Sequence, residues 1–261
     1  MAESHCNYYS FGVLLMADID TLGVNVMQLN LMSYNIQHCL NYITRKIDFD
    51  LFAKVIKDSD ADIIGLNEVN GEGKHEDNLP QAEILAKKLG YFFYFAEAIR
   101  FDGVNPYGNA LLSRYPIIRA QTIHVPDPRV RGYDGYYETR CLLKATIQTP
   151  QPITVCVIHF GLNPDEQELA QKTVLSQIEE RRCVLMGDFN ILPNDELLQP
   201  IRKRMTDTGV LLLDNGYTWP SDRPEMKIDY LFISRDLQVN QAEILPIIAS
   251  DHRPYFASVT I

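Results

Sequence analysis

The sequence predicts one compact α/β domain, with a mixed sheet or two packed sheets at its centre and helices on the outside. Two observations lead to this fold class. Helix and strand patterns alternate in each half of the chain, and strand pairs that resemble hairpins separate the two halves. No internal repeat, low-complexity tract or linker interrupts the 261 residues, a length at which single α/β domains are common.

The first half contains two strand patterns and two helix patterns. Residues 29–37 (LNLMSYNIQ) and 62–69 (DIIGLNEV) predict strands, and the second is continuously apolar, as in a strand that is covered on both faces. Residues 48–58 predict a helix that Asp48 caps, because apolar side chains recur at i, i+3, i+4 and i+7. These side chains are Phe49, Phe52, Ala53 and Ile56. Residues 80–89 predict a second helix, with proline at its start and glycine just after its end.

The middle of the chain predicts strands joined by tight turns. Residues 109–125 and 137–160 each contain apolar stretches on both sides of turn-forming residues, and TPQP at 149–152 marks a hairpin turn. We therefore expect paired strands here.

Helical patterning returns after Asn163. Asn163, Pro164 and Glu166 form a start that resembles a capping box. The apolar stripe of this helix is Leu169, Val174, Leu175 and Ile178. A buried strand at 183–188 and a short helix near 195–204 follow. Two strands, 227–234 and one near 255–261, complete the prediction.

Composition and charge limit the function classes. The chain carries 34 acidic and 24 basic residues, a net charge of −10, which disfavours tight non-specific binding of nucleic acid. A carboxylate excess suits a divalent-cation site. The five cysteines are scattered, without a CxxC pair, so we expect neither a disulfide framework nor a zinc site, and a cytoplasmic location.

The N-terminal residues 1–26 show no clear periodicity. Their apolar stretch YYSFGVLLM is too short to span a bilayer and makes a poor signal peptide, and no other segment is a transmembrane candidate. We therefore expect Met27 to be the natural start of a domain over 27–261, with 1–26 as a dispensable extension.

Polar side chains follow the apolar strands at several strand ends. The stretch CVLMGDFNILP (183–193) is the clearest case, because a buried strand delivers a carboxylate and a carboxamide at its end. The side chains in such positions are Asn35, Glu68, His159, Asp188, Asn190, Asp251 and His252, and strand 227–234 carries Asp229. Turn chemistry explains one such residue but not the whole set, since buried charges are costly unless they are paired or bind a metal.

These residues stand in motifs that resemble those of the endonuclease/exonuclease/phosphatase superfamily, from about residue 29 to 261. The motifs, in order, are SYNIQ, NEV, YGNALLSR, ETRCLL, VIHFGL, MGDFN, IDYLFIS and SDHRP. The resemblance implies a four-layer α/β sandwich with two central mixed, mostly antiparallel sheets, the DNase I-like fold. Within the superfamily, the chain most resembles the bacterial branch of metal-dependent hydrolases.

The resemblance also implies a role for each strand-end side chain. Asn35, Glu68 and Asp251 correspond to the Mg²⁺ (or Mn²⁺) site. Asp188 and Asn190 correspond to the pair that orients the attacking water and contacts the phosphoryl oxygens, and either Asp188 or His252 serves as the base. Asp229 corresponds to the hydrogen-bond partner of His252.

Three further side chains are assigned on the substrate side. His159 is implied to donate to the phosphate or the leaving group. Arg140 either binds phosphate or pairs with Glu138 or a strand-end carboxylate. Asn109 is assigned to the substrate-binding residues together with Arg140, and we expect it to brace the site through hydrogen bonds. The histidines without motif support, His5, His38, His75 and His124, are interpreted as surface or structural residues.

The function that this pattern predicts is a metal-dependent phosphoesterase acting on a small or lipid-derived phosphate ester. The alternative is a DNA endonuclease or exonuclease, with nucleic acid as substrate. The stretch DPRVRGYDGYYETR, residues 127–140, is the one that offers the arginines and tyrosines a nuclease needs. A non-catalytic binding module predicts missing catalytic groups, and the principal ones are all present. The Trp-Cys-Asp-Arg signature of inositol polyphosphate phosphatases is absent.

Overall fold

The computed structural model describes residues 26–75 and 78–261. Its helices are α1 Phe49–Asp58, α2 Gln81–Leu89, α3 Pro164–Gln177 and α4 Gln199–Arg204. Its strands are β1 Gln28–Asn35, β2 Ile63–Asn70, β3 Phe92–Phe101, β4 Asn105–Ser113, β5 Ile117–His124, β6 Cys141–Ile147, β7 Ile153–His159, β8 Cys183–Asp188, β9 Met205–Asp207, β10 Asp229–Ser234, β11 Gln238–Ile244 and β12 Tyr255–Thr260. The expectation about residues 1–26 concerns a stretch that, up to residue 25, lies outside the described residues.

The described strands form two six-stranded sheets. The first has the order β11-β12-β1-β2-β4-β3, and the second has the order β5-β6-β7-β8-β10-β9. Each sheet contains one parallel pair, β1–β2 or β7–β8, and its other neighbours are antiparallel. Helix α1 connects the first parallel pair and α3 the second, as parallel neighbours require. The carboxyl ends of β1 and β8 lie close together across the two sheets, because Asn35 at the end of β1 donates to Asp188 at the end of β8 at 3.1 Å.

Three apolar clusters define four layers. One lies between the sheets and includes Leu31, Val157 and Met186. A second packs the outer face of the first sheet against α1 and α2, and a third packs the second sheet against α3 and α4. The sheets approach closely at Gly65, where an added Cβ would lie 2.6 Å from the Met186 sulfur. The four-layer sandwich is thus confirmed.

The predicted helix starts are confirmed. The Asp48 carboxylate accepts the backbone N–H of Leu51 at 3.0 Å, and Gly90 ends α2 in the left-handed conformation at φ 72°. The Glu166 carboxylate accepts the backbone N–H of Asn163 at 3.2 Å, which closes the start of α3. These caps are local hydrogen bonds, which is why local sequence predicts them.

The middle of the chain departs from the prediction. Residues 109–125 do not form a strand pair, because β4 belongs to the first sheet and β5 to the second. The pair β6–β7 does form around the 149–152 turn. Three strands were not predicted: β3, β9 and β11. Of these, β3 and β11 are the two edges of the first sheet and β9 is an edge of the second. Edge strands are partly exposed, and they lack the clear apolar pattern of central strands.

The glycine next to the last residue of β8 is required by its backbone conformation. Gly187 has φ 148°, and an added Cβ would lie 1.8 Å from the carbonyl oxygen of Ile158 on β7. We expect Gly187→Ala to lower the free energy of unfolding by about 3 kcal/mol or more, because positive φ and the backbone contact both oppose a side chain. Urea denaturation measures this effect. Gly103→Ala has open space around the added methyl group, so its loss should be the smaller of the two. Equal losses would contradict the argument.

Candidate active site

The strand register brings the polar strand ends together. In Cα pairing, Asn35 lies opposite Asn67 across β1–β2, and Asp188 lies opposite both His159 on β7 and Asp229 on β10. Seven predicted residues line one cleft of about 510 Å³: Glu68, Arg140, His159, Asp188, Asn190, Asp251 and His252. The other three, Asn35, Asn109 and Asp229, are buried directly behind it.

Asp188 is the centre of the site. Its Oδ2 lies 3.1 Å from Asn35 Nδ2, 3.5 Å from His252 Nε2 and 3.6 Å from His159 Nε2. Burial raises the pKa of this carboxyl to about 7, although the charge of His252 opposes the shift. A carboxyl group with a pKa near neutrality is suited to accept a proton from water.

Asp229 and His252 form a buried ion pair in the site. Asp229 Oδ2 and His252 Nδ1 are 2.8 Å apart, and both side chains are buried. Burial disfavours the imidazolium, but the negative charges of Asp229 and Asp188 outweigh it and raise the pKa of His252 to about 10. Because His252 is protonated at neutral pH, it supplies a fixed positive charge in the cleft.

This charge state can be tested directly. We expect histidine NMR to show the His252 ring still protonated at pH 8, since its pKa lies above the ordinary value. In Asp229→Asn the ring should lose its proton at lower pH, because the largest favourable charge is gone. A wild-type ring that deprotonates near pH 6.5, the ordinary histidine value, would contradict the assigned charge.

Glu68 enters the cleft through an unusual backbone conformation. It has φ 57°, at a shift in register between β2 and β4. Such positive φ is uncommon outside glycine and occurs often at functional sites. Its Oε1 accepts from Asn35 Nδ2 at 3.0 Å. Asn35 Oδ1 accepts the backbone N–H of Gln37 at 3.1 Å, so the amide nitrogen of Asn35 faces the carboxylates of both Glu68 and Asp188. In this arrangement Asn35 orients the two carboxylates.

The donor set fits a hard divalent cation. Asp188, Asp229 and His252 each offer an atom within 4.8 Å of the others, and Asp229 Oδ1 is buried with no hydrogen-bond partner among the described residues. A protonated His252 cannot be a ligand, since ligation requires the neutral ring. Of the other cleft carboxylates, Glu138 pairs with Arg140, and Glu68 and Asp251 are oxygen donors of the kind that Mg²⁺ and Mn²⁺ bind.

His159 and Arg140 form the second polar wall of the cleft. Arg140 Nη1 lies 3.1 Å from His159 Nδ1 and also pairs with the Glu138 carboxylate. A guanidinium only donates, so Nδ1 accepts and the ring proton sits on Nε2, facing Asp188. Burial and the charge of Arg140 hold the pKa of His159 well below its usual value. His159 is therefore a neutral donor. Of the two interpretations of Arg140, the pair with Glu138 is present, and the side chain also lines the cleft.

Two asparagines behind the site, Asn67 and Asn109, connect the two sheets through hydrogen bonds. Asn67 donates to Asn109 Oδ1 at 2.8 Å and to the Ile158 carbonyl at 3.0 Å, and it accepts the backbone N–H of Asp188 at 2.9 Å. Asn109 in turn donates to the Cys141 carbonyl at 2.9 Å. Asn109 is 2% exposed, so it braces the site and does not line the cleft. Asn67 was missed, although it stands next to Glu68 in the LNEV stretch.

Two further residues of the cleft were not assigned from the sequence. Glu138 is buried with its carboxylate against Arg140, and only its place two residues before that arginine signalled it. His38, interpreted as a surface or structural residue, lines the cleft with its Nε2 3.8 Å from Glu68 Oε2. His75 and His124 are exposed, as expected, and His5 lies outside the described residues.

Aromatic and apolar side chains form the outer walls of the cleft. Phe101, Tyr107, Leu162, Trp219 and Met226 surround the polar floor. Within residues 26–75 and 78–261, no helix combines the length and apolarity needed to cross a bilayer. The four cysteines of these ranges are buried and free.

Known proteins share this fold, and a family model matches the sequence. The model of the Endonuclease/Exonuclease/phosphatase family matches residues 32–252. No curated protein matches the chain. Among solved structures, an endonuclease/exonuclease/phosphatase from Beutenbergia cavernae has a TM-score of 0.75 at 22% identity, over 89% of this chain and 71% of that one.

Two further solved structures are those of phosphatases. A mannosyl-6-phosphatase from Bacteroides thetaiotaomicron has a TM-score of 0.69 at 17% identity, over 88% of this chain and 99% of that one. ANGEL2, a 2',3'-cyclic phosphatase, has a TM-score of 0.67 at 17% identity, over 95% and 99% of the two chains. At these identities the likeness shows the fold alone.

Proposed function

The chain belongs to the endonuclease/exonuclease/phosphatase family, whose members hydrolyse phosphate esters, and we propose that it is a divalent-metal-dependent phosphoesterase that acts on small substrates. The observation that carries the proposal is the buried Asp188 carboxyl, with its pKa near 7, beside an imidazolium that Asp229 holds in place. The proton acceptor can take a proton from the attacking water, and the fixed cation beside it can stabilise the negative charge on the phosphoryl group.

Each charged group has a separate task in the proposed reaction. Asp188 accepts a proton from the attacking water, and Asn190 helps to orient that water. The imidazolium of His252 stabilises the negative charge on the phosphoryl oxygens, because in-line displacement spreads charge over them. His159 Nε2 and the Arg140 guanidinium donate from the opposite wall.

The proposed metal is held by Glu68 and Asp251, with Asn35 orienting Glu68. A bound Mg²⁺ or Mn²⁺ would neutralise phosphate charge and stabilise the leaving oxygen. The chain's carboxylates supply the oxygen ligands that such an ion prefers.

Two observations support a small substrate. The cleft of about 510 Å³ falls within the usual range for small-molecule sites, roughly 300–1,000 Å³. Of the structures named above that share the fold, one is a mannosyl-6-phosphatase, and the other is a 2',3'-cyclic phosphatase in complex with adenosine-2',3'-vanadate. A lipid-derived phosphate with a short apolar portion would also contact the Phe101, Leu162 and Trp219 wall.

One observation favours nuclease activity as the second candidate. The 126–137 loop exposes Tyr133 and Tyr136, and Arg131 lies over the Tyr137 ring at 4.9 Å. Exposed tyrosines beside arginines are able to stack on bases and contact phosphates. The net charge of −10 opposes this candidate.

Hydrolysis of p-nitrophenyl phosphate and bis-p-nitrophenyl phosphate tests the proposal. We expect turnover with Mg²⁺ or Mn²⁺ that EDTA abolishes, and no nicking of plasmid or abasic-site DNA at the same enzyme concentration. DNA cleavage at comparable rates would favour the nuclease. Turnover that is insensitive to EDTA would overturn the metal dependence.

A further inference from the structure

The turn after β1 is strained in a way that local sequence does not explain. Gln37, His38 and Cys39 have φ of 41°, 56° and 57°, so three successive residues other than glycine are left-handed. Each such residue costs on the order of 1–3 kcal/mol, and such residues persist only where the surrounding structure holds them. A strained turn that adjoins a catalytic cleft suggests that its side chains have a task there.

The surrounding structure holds this turn from several sides. The Leu40 N–H donates to the Gln37 carbonyl at 2.9 Å, and the fully buried Cys39 anchors the end of the turn. Gln81, at the start of α2, donates to the His38 carbonyl at 2.7 Å and accepts the Asn70 N–H at 2.9 Å. The turn is therefore tied to the strand that carries Glu68.

The result of the turn is that the His38 ring lies in the cleft. Its Nε2 lies 3.8 Å from Glu68 Oε2, and its ring centroid is 5.4 Å from that of Tyr107. The side chain is 37% exposed, so the ring is accessible from the cleft. At 3.8 Å the contact with Glu68 is too long for a hydrogen bond, and the Nε2 position remains available to a ligand.

The buried ring nitrogen indicates which tautomer is present. His38 Nδ1 is buried and has no hydrogen-bond partner among the described residues. A proton on Nδ1 would be a buried donor without an acceptor, which is costly. Nε2, in contrast, faces the cleft and lies 3.8 Å from the Glu68 carboxylate, so an N–H on this nitrogen is the donor that His38 offers to the cleft.

The position of His38 relative to Asp188 defines what this donor can reach. Contacts run from Asp188 to Asn35, from Asn35 to Glu68, and from Glu68 to His38. Two side chains, Asn35 and Glu68, therefore stand between His38 and the proton acceptor along this floor. In-line displacement places the leaving group on the side of phosphorus opposite the attacking water.

We propose that His38 is a catalytic residue that donates a hydrogen bond from Nε2–H to the leaving-group oxygen of the phosphate ester. The inference rests on the proposed function. Water oxygen forms the new bond to phosphorus, and its proton passes to Asp188. The bond from phosphorus to the leaving oxygen breaks, and that oxygen keeps the electron pair. His38 stabilises this oxyanion, which then takes a proton from solvent.

A comparison of leaving groups tests the proposal. p-Nitrophenoxide is a stable leaving group, whereas phenoxide and benzyl alkoxide are far more basic and depend more on a donor. We expect His38→Asn, which tolerates left-handed backbone, to lower kcat/KM for phenyl phosphate and benzyl phosphate roughly 10- to 100-fold. For p-nitrophenyl phosphate the loss should stay below about 3-fold, because the donor matters less there.

The ratio between substrates separates catalysis from folding. A partly unfolded variant loses the same factor on every substrate, so the ratio is insensitive to the folded fraction. Asparagine and glutamine both carry an amide N–H donor, but the longer side chain of His38→Gln carries it further into the cleft and should regain part of the benzyl phosphate activity. His124→Gln, an exposed histidine on β5, is the matched control and should leave every rate unchanged.

The outcomes distinguish this inference from the proposed function. Equal losses on all three esters in His38→Asn, or no loss on any, would overturn the role of His38 while leaving the phosphoesterase intact. A wild-type enzyme without turnover of any phosphate monoester or the matching diesters would overturn the proposed function, and the role of His38 with it.

Discussion

Glu68→Gln lowers kcat/KM for the preferred phosphate ester by about 1,000-fold or more and leaves the free energy of unfolding within about 0.5 kcal/mol of wild type, on the proposed mechanism. The substitution keeps the size of the side chain and removes its charge. Glu68 is one of two cleft carboxylates that accept from Asn35, and its other oxygen lies 3.8 Å from His38 Nε2. A cation bound by the Glu68 carboxylate would lose its principal anionic ligand.

Two measurements are needed to attribute this loss. Steady-state kinetics gives the change in turnover, and calorimetric titration with Mn²⁺ gives the change in metal affinity. Glu97→Gln is the matched control, because Glu97 pairs with Arg100 on β3 away from the cleft. Glu68→Gln with near-wild-type kinetics would refute the metal site, and lost activity with unchanged Mn²⁺ affinity would assign Glu68 another role.

His252→Gln should lower kcat by roughly 100- to 10,000-fold and also destabilise the fold. The imidazolium lies between two buried carboxylates that stand opposite each other, Asp188 on β8 and Asp229 on β10. Removing one partner of a buried charge cluster typically costs about 3–5 kcal/mol, because the charges left behind are uncompensated.

A double variant separates the two effects of this substitution. Asp229→Asn combined with His252→Gln removes one of the facing carboxylates, so we expect it to regain stability that the single variant loses. Activity should stay low, because the cation is still missing. Urea denaturation and turnover of p-nitrophenyl phosphate, with His124→Gln as control, give both quantities. A double variant that recovers turnover would show that His252 acts on folding alone.

The sequence predicted central strands and helix starts well, and edge strands poorly. Strands such as β2 and β8 are continuously apolar because both faces are covered, and Asp48 and Gly90 act through local hydrogen bonds and local backbone conformation. By contrast β11 (QVNQAEI) is largely exposed and polar, so it forms only because β12 offers a partner. Separation of β4 and β5 into different sheets likewise depends on contacts distant in sequence.

The candidate site likewise contains residues that the sequence identified and residues that only the tertiary structure revealed. Motif positions brought Glu68, Asp188, Asp229 and His252 to attention, since their chemistry is carried by residue type at strand ends. Nothing in the residue type of His38 distinguishes it from the exposed His75 or His124. Its place in the cleft depends on a left-handed turn that Gln81, 43 residues away, helps to hold.

The sequence alone therefore determined the α/β class, the main strands and helices, and which candidate side chains stand at strand ends, because period, caps and residue type are local properties. Only the tertiary structure decided which groups meet and in what charge state. Asp188 has a pKa near 7 and His252 one near 10 because two sheets bury them together. Burial and the distance between charges arise from packing, which no stretch of sequence contains by itself.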